Sequence, residues 1–207
     1  MQCSRVRFFP AVKSRSLYFL AIALAMIVGT AALHSMKGRE GAPAPERDMS
    51  ALMGGYRTFA ADCLWLETNL AWETRDALAV RKLIDFTVSA DPHTPYFWLN
   101  GARVLAYDFP AWRCQDECDA PLAVQSSWRV KGASEALLLL ERGQKWHGQT
   151  AALHLEMGTI CLYALRDRAR AAEHFRRASE QADAPEYAAR IYASLHAEEI
   201  AGMTLTR

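Results

Sequence analysis

Apolar residues recur every three or four positions along most of this chain, which is the spacing of one face of an α-helix. The clearest example lies between residues 151 and 182, where two such segments follow each other. The first segment carries Leu155, Gly158, Leu162 and Leu165, and the second carries Ala171, Phe175, Ala178 and Ala182. The polar turn Arg166-Asp167-Arg168 separates them. The pattern predicts two antiparallel helices whose small residues let the backbones approach closely, while Phe175 fills the space that they leave.

Further helices are predicted on both sides of this pair. A long amphipathic helix starts near Asp48 or Ser50 and ends at about Glu73, with apolar positions at Leu52, Tyr56, Phe59, Cys63, Leu66 and Leu70. The next begins at Asp76 and ends at Asp91-Pro92, because the residue before a proline avoids helical angles. Thr94-Pro95 opens another, with threonine as the N-cap and proline in the first turn. A final helix follows Pro185.

The paired segments resemble one tetratricopeptide repeat, a helical hairpin with a small residue in its first helix and Ala, aromatic, Ala in its second. Gly158, Ala171, Phe175 and Ala178 match these positions, although the turn is about one residue longer than usual. In the preceding hairpin the corresponding residues are Trp98, Ala102 and Ala136. Since one hairpin cannot bury its own apolar face, the resemblance implies an all-α solenoid of about three repeats plus a capping helix over residues 49–207.

Residues 107–130 interrupt the middle hairpin. Its second helix is expected to begin near Gly132, so the stretch before it is interpreted as an insertion with a helical part around residues 121–130. Long irregular connections in compact domains are often functional. Its aromatic residues are therefore the candidates for contact with a partner, since rigid aromatic side chains serve as binding anchors. These candidates are Tyr107, Phe109 and Trp112.

The first 48 residues have a different composition. Residues 1–16 carry four basic residues and no acid, residues 17–36 carry no charge, and residues 37–48 are rich in Gly, Pro and charge. About 20 apolar residues are needed to cross a bilayer, so 17–36 predicts a transmembrane helix followed by a tether. The basic tail favours a cytoplasmic N-terminus. A cleaved signal peptide is the alternative, although the apolar run is longer than is usual for one.

Both interpretations place residues 49–207 outside the cytoplasm, and the first makes the chain a single-pass protein of the bacterial inner membrane. Without the four basic residues of the tail, the 24 basic residues of the chain fall to 20, against 23 acidic residues. A nucleic-acid surface needs clustered Lys and Arg. The sequence therefore predicts no nucleic-acid partner.

Cys114 and Cys118 lie four residues apart in the insertion. In an oxidising compartment they predict a disulfide that closes a small loop, since on a helix their Cα atoms lie about 6 Å apart, near the upper end of the bridgeable range. Two free thiols, or a redox or metal site with neighbouring carboxylates, are the alternatives. No further Cys or His follows at the spacing of a zinc site.

No nucleophile elbow, phosphate-binding loop or dinucleotide-binding fingerprint occurs in the sequence. We therefore expect the chain to have no catalytic, cofactor-binding or metal site. We also expect that the protein is not an enzyme. Stacked hairpins expose an extended concave surface suited to peptides. We therefore hypothesise that the domain is a module that recruits or scaffolds a partner protein at the membrane, with residues 17–36 in contact with the bilayer. A permanent accessory subunit of a membrane complex is the alternative, and a thiol redox or metal protein is a third.

Overall fold

The computed structural model describes the backbone of residues 46–205 and the side chains of residues 55–197. Every regular element in this part of the chain is a helix, which confirms the all-α prediction there. None of these helices combines the length and the apolar character needed to cross a bilayer. The basic tail 1–16, the predicted transmembrane helix 17–36 and most of the tether lie outside the described residues.

The helices follow one another with short connections. In chain order they are α1 (Glu46–Glu73), α2 (Ala77–Ala90), α3 (Pro95–Arg103), α4 (Phe109–Asp116), α5 (Leu122–His147), α6 (Ala151–Ile160), α7 (Arg168–Ser179) and α8 (Glu186–Leu205). Two π-helical turns continue α3 and α6, and we call them π1 (Val104–Asp108) and π2 (Cys161–Leu165).

Local polar signals set several of the helix starts. The side chain of Asp76 accepts the backbone N–H of the third residue of α2, and the side chain of Asp167 accepts that of the third residue of α7, as N-caps do. Thr94 stands at the N-cap of α3, but its hydroxyl donates to Asp91 at 2.7 Å and does not cap the helix. Asp91 thereby organises the turn between α2 and α3, where it also accepts the backbone N–H of His93 at 3.1 Å.

Helices α3 and α5 pack as an antiparallel hairpin. A Cβ on Gly101 would lie 3.2 Å from Leu139, and one on Gly143 would lie 3.1 Å from the ring of Trp98. The contacts therefore move backward along α5 as the chain advances along α3. Close approach is possible at these points because glycine has no side chain to separate the backbones.

Helices α6 and α7 form another antiparallel hairpin. It is the third along the chain, after α1–α2, where Arg57 and Thr58 contact Ala90 and Asp91, and α3–α5. A Cβ on Gly158 would lie 3.1 Å from the ring of Phe175, so the phenyl ring occupies the space that this glycine leaves. Arg166, with φ 57°, closes the turn between π2 and α7 in the left-handed conformation. All seven residues assigned to packing between repeats are buried: Trp98, Ala102, Ala136, Gly158, Ala171, Phe175 and Ala178.

The first helices of successive hairpins run in the same direction. The rings of Trp65 and Phe97 have centroids 5.7 Å apart, and two turns further along α1, Trp72 Nε1 donates to Asp108 at 2.8 Å. Positions further along α1 therefore contact positions further along α3 and π1, so these helices are parallel.

The second helices of the first two hairpins, α2 and α5, are also parallel. Arg81 pairs with Glu135 at 2.6 Å, and Asp85, one turn later, pairs with Arg142 at 2.9 Å. Antiparallel pairing within hairpins and parallel pairing between them is the geometry of a stack of helical hairpins. One continuous core of aliphatic and aromatic side chains joins them.

Helix α1 differs from the sequence-based expectation. From Tyr56 to Leu70 its predicted apolar stripe faces solvent, and the opposite face packs on the domain through Ala61 and Thr68, with Trp65 partly buried beside them. The physical reason is the aromatic pair of α3: Trp65 packs on Tyr96 and Phe97, each at 5.7 Å between ring centroids. These contacts turn the stripe outward.

The insertion at 107–130 is more regular than expected. Helix α4 occupies its first part, and α5 begins at Leu122, ten residues before the predicted start near Gly132. The two prolines explain both boundaries. Pro110 lies in the first turn of α4 and Pro121 directly precedes α5, and these are positions where a missing N–H costs little.

A pair of histidines joins α6 to α7. His154 is almost fully buried, and its Nδ1 lies 3.4 Å from Nδ1 of His174. The other ring nitrogen of His154, Nε2, contacts the side-chain amide oxygen of Gln149. Burial lowers the pKa of His154 and lowers that of His174 to about 4. The neighbouring Arg177 acts in the same direction on both rings, while Glu173 opposes it.

The His154–His174 pair predicts that the folded domain loses stability in acid. Because the folded pKa of His174 is depressed, the unfolded chain binds more protons between about pH 4 and 6.5, and stability is lost as the pH falls through that range. At about 1.4 kcal/mol per pKa unit, lowering the pH from 7 to 5 should reduce the free energy of unfolding by about 1–2 kcal/mol through His174. In His174→Gln this part of the pH dependence should disappear in chemical denaturation, whereas replacing the exposed His93 by Gln should leave it. Equal pH dependence in wild type and His174→Gln would contradict the assignment.

Candidate binding groove

A groove of about 750 Å³ lies along the first helices of the second and third hairpins and reaches α8. Its walls are mainly apolar and aromatic, and its polar groups come from a few side chains near the centre. The residues that line it are Leu99, Arg103, Tyr107, Ala152, Leu155, Glu156, Thr159, Leu162, Tyr163, Phe175, Tyr187 and Ile191. A concave, largely apolar surface with a few convergent polar groups is typical of a binding site.

An ion pair crosses the groove between adjacent hairpins. The Nε and Nη2 atoms of Arg103 donate to Oε2 of Glu156 at 3.0 and 2.7 Å. The carboxylate is 7% exposed, while the arginine side chain is 53% exposed. A buried carboxylate requires such a partner, and the bond to Glu156 raises the pKa of Arg103 above its usual value. The guanidinium therefore stays charged and half open to the groove.

Tyr107 forms part of the wall beside this pair. Its hydroxyl oxygen is buried and has no hydrogen-bond partner among the described residues. Burial, reinforced by the charge of Glu156, raises the pKa of Tyr107 to about 12. The hydroxyl is thus a neutral donor at neutral pH. Buried polar groups are nearly always hydrogen-bonded in folded proteins, so an unpaired one calls for an explanation.

The two π-helical turns position tyrosines on the groove. In π1 the N–H of Phe109 donates to Val104, five residues back, and in π2 the N–H of Arg166 donates in the same way to Cys161. Pro110 explains π1, since it has no N–H to continue the α-helical ladder. Tyr107 lies in π1 and Tyr163 in π2. Single π turns inside helices occur frequently at functional sites.

The three aromatic residues predicted to contact a partner are in different places. Tyr107 lines the groove, but Phe109 and Trp112 are each 8% exposed and lie in helix α4. Trp112 packs on Trp72 at 6.0 Å and on Phe109 at 5.3 Å between ring centroids. The expectation of an exposed loop is therefore corrected for these two residues, because the insertion folds as a helix that buries Trp112 against Trp72 of α1 and Phe109 against Trp112 and Arg81.

The cysteines of the insertion lie at the end of α4. Cys114 is half-buried on the helix, and Cys118 lies exposed in the following turn. A disulfide between them stays a prediction. Within the described ranges, no group of three or more His, Cys, Asp or Glu side chains is placed to hold a metal ion.

Sequence reasoning missed Arg103, Glu156 and Tyr163. Glu156 does carry a signal, since it is a carboxylate between Leu155 and Met157 in a mostly apolar helix. Buried charges of this kind are normally paired. No signal in the sequence identifies Arg103 as its partner, because that depends on how the two hairpins stack.

No protein-family model matches the chain, and no curated protein matches it in sequence.

Proposed function

We propose that residues 49–207 form a tetratricopeptide-like module that recruits or scaffolds a partner protein by holding a segment of it in the groove. In this proposal residues 17–36 anchor the protein in the bacterial inner membrane, with the N-terminus in the cytoplasm and the domain outside it. The module binds its partner without a cofactor and catalyses no reaction. The anchor raises the effective concentration of the domain near membrane partners without any tighter contact.

The unpaired hydroxyl of Tyr107 is the observation that carries the proposal. It lies in the wall of an apolar groove beside a guanidinium that is half open to solvent. A polypeptide segment would bring backbone carbonyl oxygens that can accept hydrogen bonds from both groups, while its side chains pack on the aromatic walls. Parallel first helices are the elements that line such grooves in stacked hairpins, which supports the resemblance to tetratricopeptide repeats.

A Tyr107→Phe variant tests the hydroxyl directly. Removing a buried hydroxyl that has no partner among the described residues should leave the free energy of unfolding unchanged or raise it slightly. Loss of a hydrogen bond to the partner should at the same time weaken binding by about 1 kcal/mol, or roughly fivefold. The measurement is the yield of partner that co-purifies with the full-length protein from solubilised native membranes, beside the denaturation midpoint of each variant. Unchanged yield would exclude the hydroxyl from binding.

The groove itself is tested by a charged side chain placed in it. Tyr163 is 68% exposed, so Tyr163→Arg should fold normally and still obstruct the groove. Leu138, 60% exposed and outside the groove lining, provides the matched control as Leu138→Arg. We expect Tyr163→Arg to lose the co-purifying partner and Leu138→Arg to keep it. Retention by both variants would refute the groove as the contact surface.

A permanent accessory subunit is a second candidate, favoured by the large apolar side chains that helix α1 exposes. Obligate interfaces are large and apolar. The two candidate functions differ in whether the bound partner exchanges. When isotopically labelled and unlabelled membranes are solubilised and mixed, a recruitment module should exchange its partner, whereas a permanent subunit should keep the one with which it was assembled.

A further inference from the structure

The outward face of α1 carries a regular heptad pattern. Apolar residues alternate in steps of three and four, and we call this set the α1 seam: Tyr56, Phe59, Cys63, Leu66 and Leu70. The same steps continue upstream in the sequence through Leu52 and Met49. A stripe of this kind over three heptads is the pattern by which one helix packs against another in a coiled coil.

Among the described residues, no helix covers the α1 seam. Tyr56 is 50% exposed, Phe59 58%, Leu66 63% and Leu70 45%. The opposite face of α1 is the buried one, with Ala61 and Thr68 at 0% and 2% exposure. Contiguous exposed apolar patches on a helix typically mark an interaction surface. The seam is independent of the groove, because no seam residue lines it.

Charges beside the α1 seam select the kind of partner. Asp62 and Glu67 flank it at the positions where coiled-coil helices form interhelical ion pairs. From residue 58 to residue 74 the chain contains three acids and no Lys or Arg. Arg57, just before this stretch, donates to the carbonyl of Ala90 in its own domain at 3.2 Å. The two charged residues at the flanking positions of the seam, Asp62 and Glu67, are therefore both acidic.

This charge pattern disfavours a second copy of the chain as the occupant. Parallel pairing of α1 with itself would bring Asp62 toward Glu67 of the other copy, and like charges at these positions are repulsive. A helix with basic flanks would instead meet opposite charges on both sides.

We propose that the α1 seam docks an amphipathic helix of a partner protein, with an apolar heptad stripe flanked by Lys and Arg. The seam from residue 56 to residue 70 spans about 21 Å, which matches two heptads of such a helix. Apolar side chains provide the contact, and the flanking charges set its specificity. The protein then has two binding surfaces, the groove and the seam.

Two synthetic peptides test the proposal on the full-length protein in nanodiscs. Both have three heptads with Leu and Ile at the apolar positions; one has Lys at the flanking positions and the other has Glu. We expect fluorescence anisotropy of the labelled peptides to show at least tenfold tighter binding of the Lys peptide. Its affinity should decrease as NaCl is raised, because exposed charge pairs are screened by salt.

Variants separate the α1 seam from other surfaces. Leu66→Glu should weaken binding of the Lys peptide at least tenfold, whereas Leu138→Glu, on a different helix and similarly exposed, should not change it. The double variant Asp62→Lys/Glu67→Lys should reverse the preference in favour of the Glu peptide. Tyr163→Arg, which obstructs the groove, should leave peptide binding to the seam intact. The proposals for the groove and for the seam are therefore tested separately.

Three results would overturn the proposal. Equal binding of both peptides would remove the charge argument. Binding that survives Leu66→Glu would place the peptide elsewhere on the protein or on the lipid. Sedimentation of a dimer that Leu66→Glu converts to a monomer would show that a second copy occupies the seam.

Discussion

Replacing Trp98 with Ala is expected to lower the free energy of unfolding by about 3–5 kcal/mol. Trp98 is 2% exposed, and its ring lies against the backbone of α5 at Gly143. Its Nε1 donates to the carbonyl of Pro92 at 2.9 Å, so truncation leaves a cavity and also removes a buried hydrogen bond. Chemical denaturation followed by far-ultraviolet circular dichroism measures the loss without depending on the tryptophan signal.

Trp146 provides a matched control for this substitution. It lies near the end of α5 and is 52% exposed, with its ring against His93 at 5.2 Å between centroids. Trp146→Ala should therefore cost less than about 1 kcal/mol, because surface substitutions away from special contacts have small effects. Similar losses for the two variants would mean that Trp98 does not hold the α3–α5 hairpin together.

Gly132→Ala is expected to have the second-largest effect, a loss of about 3 kcal/mol from overpacking. A Cβ at Gly132 would lie 2.5 Å from the carbonyl oxygen of Leu105 and 2.9 Å from the ring of Pro110. Neither group can move cheaply, since one belongs to the backbone of π1 and the other is a rigid ring. Helices α3 and α5 would have to separate. The denaturation midpoint of the variant measures this loss.

The control for this variant is Gly55, which lies in α1 with no atom of the described residues within 4 Å of its Cβ position. Gly55→Ala should stabilise the protein by about 0.5–1 kcal/mol, since alanine has the higher helix propensity. A Gly132→Ala variant that is as stable as Gly55→Ala would show that the close approach of α5 to π1 is absent in solution.

The helices and their pairing could be predicted where the spacing of apolar residues agrees with the residues that start and end a helix. The α6–α7 hairpin shows this best, because the small residue Gly158 and the ring of Phe175 are spaced so that one fits the other. The boundary of α2 likewise follows from Asp76 as the cap and Pro92 as the terminator. Local chemistry determines these features, so one sequence is sufficient to find them.

The π turns and the direction of α1 could not be predicted in this way. A π turn adds one residue to a helix. The hairpin at 151–182 gives a faint sign of this, since it is one residue longer than a standard repeat and the extra length lies in π2. The orientation of α1 depends on Trp65 packing against the rings of α3. The heptad stripe alone would predict that the opposite face is solvent-exposed.

The groove is also a tertiary feature. Arg103 and Glu156 are 53 residues apart in sequence and meet only because the first helices of two hairpins lie side by side. Tyr107 was predicted as a contact residue because it was expected in a loop, whereas it reaches the groove from a π-helical turn. Aromatic residues could be selected from the sequence, but which of them are exposed could not.

Site-specific photo-crosslinking in native membranes tests the central claim most directly. A benzophenone amino acid would replace Tyr163 in the groove or Leu138 outside it, two positions of similar exposure. The account predicts a discrete adduct with one partner protein from position 163, reduced by Tyr107→Phe, and none from position 138. Adducts of equal yield from both positions, or none from position 163, would contradict binding in the groove.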